Sequence, residues 1–305
     1  MKNKISLHRW YKDLPVLVTG GAGFIGSHLV AELVALEATV TVLDNFKTGL
    51  EENLACVADK ITCIKGDITD YATCLRATEK MAIIFHLAAE VSVPESFQNP
   101  LLYHAVNVTG TLNLLEAARI NKVDRLILSS SSAVYGEQQG ICSEATPTNP
   151  QSPYGTSKLL AEYYCTNYAQ AYGVSTVALR YFNVYGARQR ADLPAAGVVA
   201  TLRKKMAQNE PITLFGDGMQ QRDFVPVEQV VQANLACGAS TMAWQGECFN
   251  VATGSSRTLL SLVEELRAEF PAYTHEIGFA DARPGDIYYS AADCSKFKRF
   301  FEPGA

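Results

Sequence analysis

The 305-residue chain has no Cys-x-x-Cys pair, and its eight cysteines show no Cys/His spacing suited to zinc. Reduced thiols are expected, as in a cytosolic protein, and no metal centre. No apolar stretch approaches the ~20 residues of a membrane span. The N-terminal ten residues, MKNKISLHRW, lack the apolar segment of a secretory signal. A cytoplasmic location with no membrane partner is therefore expected. An excess of positive charge is missing as well. With 26 basic against 31 acidic residues the net charge is −5, which gives no broad field for nucleic acid. An anionic ligand would need local arginines instead. There is no internal repeat and no low-complexity segment. What is present is an ordinary globular composition, 48% hydrophobic and 19% charged, long enough for one large core or two modest ones.

Apolar runs at 16–19, 40–43, 61–64, 83–86, 125–129 and 175–179 read as strands. Between them lie stretches with helical periodicity, at 24–36, 71–78, 101–121 and 154–172. Strands alternating with helices predict an α/β fold, a Rossmann-like, doubly wound parallel sheet covered on both faces. Runs without polar alternation suit strands buried on both sides. After about residue 180 the rhythm loosens into short mixed segments. Residues 1–180 are therefore expected to form the dinucleotide-binding domain. Residues 181–305 are expected to form a smaller mixed portion, mainly for substrate, over the carboxyl ends of the strands.

Gly20, Gly23 and Gly26 follow a strand and open a helix, the context that a dinucleotide fingerprint requires. Gly20 permits a tight turn, Gly23 lets backbone approach phosphate, and Gly26 lets the helix pack closely on the sheet. The positive helix end then faces a pyrophosphate. Asp44 ends the second strand, 18 residues beyond Gly26. A carboxylate there accepts hydrogen bonds from the ribose hydroxyls and repels a 2′-phosphate, which favours NAD over NADP. Asp67 ends the third strand, either reaching the adenine or shaping a turn. His86, inside an apolar strand, reads as structural.

Tyr154 and Lys158, at i and i+4, project from one helix face. A tyrosine with a pKa of ~10 is a poor base at neutral pH. A nearby ammonium and the positive nicotinamide ring favour the phenolate and lower that value. Such a phenol can take a proton from a sugar hydroxyl while hydride leaves the same carbon for NAD. Ser131, after the fifth strand, can share the hydrogen-bond chain to the substrate oxygen; a serine-rich loop without chemistry is the alternative.

With these motifs in place, the chain resembles the extended short-chain dehydrogenase/reductases, NAD-dependent epimerases and dehydratases, and in particular the UDP-N-acetylglucosamine/UDP-glucose 4-epimerases. The resemblance runs from about Val16 to Asp293 and rests on segments 19–28, 44–45, 66–68, 86–89, 129–136, 154–158 and 179–186. It implies Ser131, Tyr154 and Lys158 as the catalytic triad. It implies a cofactor site from Gly20, Gly23, Phe24, Ile25, Gly26, Asp44, Asn45, Asp67, Ile68, Leu87, Ala88, Ala89, Tyr154, Lys158 and Tyr181. For a UDP-sugar it implies Ser131, Asn183 at the diphosphate, Phe215 beside the uracil, Arg222 and Arg283 on the phosphates, and Asp286 on the ribose. Two guanidinium forks are natural partners for a diphosphate on an acidic protein, although each arginine, read alone, is a solvated surface charge.

The related dehydratases carry an Asp-Glu pair directly after the catalytic hydroxyl residue. Here Ser132 and Ala133 stand there and cannot expel water. Epimerisation at C4 through a 4-keto sugar, with NAD retained, is the implied reaction. The residue four after Asp286 lines the C2 pocket in relatives. Here it is Ser290, small enough to admit an N-acetyl group, unless it is an ordinary surface serine. UDP-GlcNAc and UDP-GalNAc are therefore the expected pair, with UDP-glucose and UDP-galactose poorer substrates. A UDP-glucuronate epimerase or decarboxylase and a non-catalytic NAD sensor are the alternatives. Ala200 and Pro226 depart from the family pattern on the substrate side, and the chain stops soon after the last motif. The resemblance also implies a homodimer through the helices at about 100–121 and 154–172, whose apolar stripes would otherwise read as intramolecular core.

Overall fold

The computed structural model describes residues 4–193, 196–282 and 287–301. Helix α1 (Lys4–Tyr11) precedes β1 (Pro15–Thr19), in which Val16, Leu17 and Val18 are fully buried. The glycine turn opens α2 (Phe24–Ala35), followed by β2 (Thr39–Asp44), a 3₁₀ segment at Glu51–Lys60 and β3 (Ile61–Lys65). Then come α3 (Tyr71–Ala77), β4 (Ile83–His86) and α4 (Val93–Gln98). The next helical run is α5 (Pro100–Tyr103), a π-helical turn at His104–Thr109 and α6 (Gly110–Asn121). It leads to β5 (Arg125–Ser131), the long α7 (Pro153–Tyr172) and β6 (Ser175–Tyr181).

The rest of the chain alternates short elements: β7 (Asn183–Tyr185), α8 (Val198–Ala207), β8 (Ile212–Phe215), β9 (Gln221–Pro226), α9 (Val227–Gly238) and β10 (Gln245–Val251). It closes with β11 (Ser256–Thr258), α10 (Leu259–Glu269), β12 (Ile277–Ala280), β13 (Tyr289–Ser290) and α11 (Ser295–Phe301).

A seven-stranded parallel sheet, ordered β10-β6-β5-β4-β1-β2-β3, forms the centre, as the strand–helix alternation predicts. The order reverses between β1 and β4, so a crevice opens at their carboxyl ends, where such sheets bind ligands. One face is filled by α2 and α9: Leu29, Leu33, Val230 and Val231 are all essentially buried with Val18 and Phe85. Each contributes roughly 1.5–3 kcal/mol on burial. The other face is filled from α3, α6 and α7 by residues such as Cys74, Leu114, Leu115 and Ala161. A third cluster, with Leu202, Leu214, Phe224 and Val263, lies in the smaller portion.

The structure differs from the sequence reading in three ways. Strand β3 is not buried on both sides: Thr62, Cys63 and Lys65 are exposed, because β3 is an edge strand. The helix read from 101 to 121 contains the π turn, which carries the buried Asn107. And the chain beyond residue 181 is not confined to the smaller portion: β10 pairs with β6, and α9 packs on α2. The apolar residues of α9 and Phe249 and Val251 of β10 can be buried only against the large sheet.

Candidate active site

At the end of β1 the backbone of Gly20 turns with φ +69°, and a Cβ there would lie 2.7–2.8 Å from backbone atoms of Ala88. The tightness has a purpose in the sheet: Leu87 N donates to Thr19 O at 3.1 Å, tying β1 to the chain leaving β4 at the switch point. Gly23 is the N-cap of α2 and offers no side-chain cap, so the first helical N–H groups face the crevice. A Cβ on Gly26 would stand 2.1 Å from Gly20 O.

Asp44 ends β2, accepting from Ala22 N at 2.9 Å and Phe46 N at 2.8 Å. Burial pushes its carboxyl above the ordinary value, against those two backbone bonds. Asp67 shapes the turn after β3, accepting from Thr69 N, Thr69 Oγ1 and Asn45 Nδ2 at 2.8–2.9 Å. Burial pushes it up, but these hydrogen bonds outweigh burial and leave it below the usual carboxylate range. Asp67 thus takes the turn-forming role and also lines the crevice.

A cavity of about 340 Å³ fills the switch point. Its wall holds Gly20, Gly23, Phe24, Ile25 and Gly26, then Asp44, Asn45, Asp67 and Ile68. Leu87, Ala88 and Ala89 line it from β4, and Ser131, Tyr154, Lys158 and Tyr181 from the far side. Every residue expected at the cofactor therefore lines this one cavity.

Helix α7 starts with Pro153 after Ser152, whose Oγ accepts from Gly155 N at 3.1 Å. That start sets Tyr154 in the first turn and Lys158 one turn on. Lys158 Nζ donates to Ser129 O at 2.9 Å. Ser131 lies beside the phenol of Tyr154 and favours its charged form, and the ring meets Tyr103 edge-on at 6.3 Å. Burial lowers Lys158 to about 8, against the favourable charge of Glu162. Burial also raises Tyr154 above its ordinary value, against the effect of Ser131. Among the protein's own groups burial wins. The lowered phenol expected from sequence does not follow from Lys158 alone, because the ammonium is itself desolvated and directed at a carbonyl.

His86 is held between Thr19 Oγ1 at 2.8 Å and Thr111 Oγ1 at 2.9 Å. Burial, then the charge of Lys158, pushes it down to about 3. It is neutral and structural, as its strand context predicts.

Three of the residues expected at the substrate, Asn183, Arg222 and Ser290, lie on a second sheet. Asn183 on β7 lies opposite Phe224 of β9, and its Nδ2 donates to Asp223 O at 3.1 Å. Arg222 on β9 lies opposite Ser290 of β13, and its Nη1 donates to Gln221 O at 2.9 Å. Ser290 is 8% exposed, not a surface serine. Phe215 ends β8, on a separate two-stranded sheet, and its carbonyl accepts from Gln220. Ala200 sits in α8, and Pro226 caps α9. Arg283 and Asp286 lie outside the described residues.

Sequence reasoning missed the segment after Gly186. Arg188 lies on the cavity wall with φ +63°, and its buried Nη1 has no hydrogen-bond partner among the described residues. Arg190 reaches across to Thr48 O at 3.3 Å and pairs with Asp192. On the rim Lys47 pairs with Glu90. The available signal was a pair of arginines close behind the Tyr-Gly186 motif of an acidic chain.

The model of the NAD dependent epimerase/dehydratase family matches residues 16–252. The chain belongs to this family. A relative from Methanocaldococcus jannaschii, named a putative UDP-glucose 4-epimerase, is 38% identical over 290 residues, 92% of this chain and 90% of that protein. Among solved structures, a UDP-N-acetylglucosamine 4-epimerase from Methanobrevibacter ruminantium in complex with UDP-N-acetylmuramic acid is 38% identical. It superposes with a TM-score of 0.89 and covers 95% of this chain and 92% of its own. A UDP-glucose 4-epimerase from Thermus thermophilus in complex with NAD is 36% identical, with a TM-score of 0.86 and coverages of 96% and 94%.

NAD is the cofactor of this epimerase-family enzyme, and the site fits it. At Gly20 and Gly26 the cradle has no room for a Cβ, the α2 N–H groups are uncapped, and the orphaned Nη1 of Arg188 supplies a cation. Among the described residues no helix is long and apolar enough to cross a membrane, and no group of His, Cys, Asp or Glu is arranged to hold a metal.

Proposed function

We propose that this family member is a 4-epimerase of UDP-sugars, interconverting UDP-GlcNAc and UDP-GalNAc, with UDP-glucose and UDP-galactose as poorer substrates. The observation that carries the reading is the grouping of Tyr154, Ser131 and Lys158 on the cavity wall, with Ser132 and Ala133 where dehydration would need acids. NAD, when bound, supplies the redox chemistry at C4. Tyr154 takes the proton of the C4 hydroxyl and later returns it, Ser131 orients that oxygen, and Lys158 favours the phenolate. One base suffices, because the sugar turns over between removal and return of the hydrogen.

The substrate portion, mainly beyond residue 181, holds the nucleotide. In this reading Asn183, Arg222 and Arg283 take the diphosphate, Phe215 the uracil and Asp286 the ribose. In this reading Ser290, buried opposite Arg222, stands at the C2 substituent, where a serine is far smaller than a tyrosine ring.

The protein pairs with a second copy through the run α5–α6 and through α7. Leu101 is 84% exposed there, accompanied by the exposed Leu102 and Tyr163, an apolar surface of the kind a dimer covers. Light scattering at micromolar concentration checks this; a monomeric mass contradicts it.

Incubation with UDP-GlcNAc, UDP-GalNAc, UDP-glucose and UDP-galactose, followed by chromatography of the products, tests the function. Conversion of only the plain hexoses would leave the 4-epimerase and remove the N-acetyl preference. No product with stoichiometric NAD would favour a sensor.

A further inference from the structure

One turn beyond Lys158 on the same helix face, Glu162 is 4% exposed, and no step of the proposed reaction uses it. Its carboxylate accepts from four donor atoms. Arg180 on β6 gives Nε at 2.9 Å and Nη2 at 2.6 Å, a bidentate pair. Ser130 gives Oγ at 2.5 Å, and Cys248 on β10 gives Sγ at 3.5 Å. Arg180 is buried too, with its guanidinium 4.8 Å from the Tyr135 ring.

A buried ion pair is a weak source of stability, since desolvation offsets its attraction. Its place in the chain indicates another use. Ser130 stands between Ser129, whose carbonyl holds Lys158, and Ser131, which lies beside the Tyr154 phenol. Glu162 therefore grips the middle residue of the three that set the reacting groups.

We propose that Glu162 is a positioning residue for the reacting centre: paired with Arg180, it fixes the strand end at 129–131 and sustains the ammonium form of Lys158. This rests on the reading of Tyr154 as proton acceptor and Lys158 as the cation beside it. The groups facing the pair leave Glu162 as the dominant counter-charge. His86 on β4 is neutral, and the Cys248 thiol on β10 is pushed up to about 12 by burial. Tyr154, Tyr103 and Tyr181, around Lys158, and Cys165 on α7 are all raised by burial and uncharged. Arg180 engages both carboxylate oxygens, and Lys296 on α11 donates to Cys248 O at 2.8 Å.

The test uses NAD-loaded protein: wild type, Glu162→Gln, the double variant Glu162→Gln with Arg180→Met, and Ser130→Ala. The double variant leaves no buried charge unpaired and so keeps the fold where the single one fails. Phenolate absorbance is titrated against a Tyr154→Phe blank, and kcat and KM are followed with pH. In the double variant the phenolate is expected to titrate at least about half a unit higher, and the alkaline limb of kcat to fall by a similar amount. kcat should drop roughly tenfold with KM within about twofold, because the change touches proton transfer and not sugar contacts. Ser130→Ala keeps the pair, so kcat should fall roughly tenfold while the alkaline limb stays in place. Phenolate titration and limb coinciding with wild type in the double variant overturn the proposal, as does wild-type kcat in Ser130→Ala. Should wild type convert no UDP-sugar, the functional reading fails, while the phenolate titration still decides the role of Glu162.

Discussion

Lys158 Nζ donates to Ser129 O at 2.9 Å, so the ammonium one turn from Tyr154 is anchored to the strand that also presents Ser131. The anchor fixes position but not charge. Burial brings this lysine to about 8. A lysine lowered in this way is charged below that value and discharges as pH rises through it. The ammonium that favours the phenolate is therefore lost on the alkaline side. kcat/KM is expected to decline above about pH 8, and Lys158→Met to lower kcat by roughly 10²–10⁴-fold at neutral pH, the usual weight of a proton-transfer group. A pH–rate profile flat to pH 10 contradicts the assignment.

Tyr154→Phe removes the proposed proton acceptor and leaves the edge-on contact with Tyr103 intact. Folding and NAD content should be unchanged, and turnover of every UDP-sugar should fall by about 10²–10⁴-fold. Product formation by the variant over long incubations measures the residual rate. An undiminished rate would remove the phenol from the mechanism.

The sheet and its cofactor crevice were legible because their signals are local. Val16–Thr19 is an apolar run ending on glycines, and Asp44 closes the next run; each motif states its position in a few adjacent residues. Strand β10 was not legible, because Gln245, Gly246 and Glu247 mask an apolar end that becomes buried only beside β6. Glu162 and Arg180 lie 18 residues apart and each resembles a solvated charge until α7 folds onto β6. Arg188 was hidden for the same reason: its value lies in which cavity it borders. The π turn at 104–109 has no sequence pattern distinct from an α-helix, yet it aims Asn107 at Glu90 and Ser157.

The glycine cradle makes a prediction about stability as well as binding. A Cβ on Gly26 would press on Gly20 O at 2.1 Å, a backbone atom with no room to retreat. Gly26→Ala is expected to cost about 1–3 kcal/mol of stability through overpacking. It should also abolish copurification of NAD, since relief moves the α2 N-terminus off the phosphate position. Thermal unfolding together with cofactor content by absorbance checks both. NAD retained at full stoichiometry contradicts the assigned cradle.

Arg188 borders the same cavity with a buried donor that has no partner among the described residues. Such a donor costs about 1–3 kcal/mol until a ligand satisfies it. Arg188→Ala should therefore leave the ligand-free protein equally or more stable, while weakening NAD by roughly 10- to 100-fold, the worth of one charge-assisted bond. Calorimetric titration of stripped protein measures the loss. Unchanged affinity would mean that Arg188 faces something other than the dinucleotide.

Ser290 gives the sharpest test of sugar choice. It is buried and sits opposite Arg222 across the β13–β9 pairing, so a larger side chain cannot swing into solvent without breaking that pair. In Ser290→Tyr the ring must occupy the volume assigned to the C2 substituent. kcat/KM for UDP-GlcNAc should fall by a hundredfold or so, while UDP-glucose keeps most of its rate. Because small-to-large changes also strain a packed site by about 1–3 kcal/mol, melting temperature is measured in parallel. A parallel loss on both sugars would mean general damage. Intact N-acetyl activity would show that the C2 substituent lies elsewhere, and the preference assigned through Ser290 would have to be withdrawn.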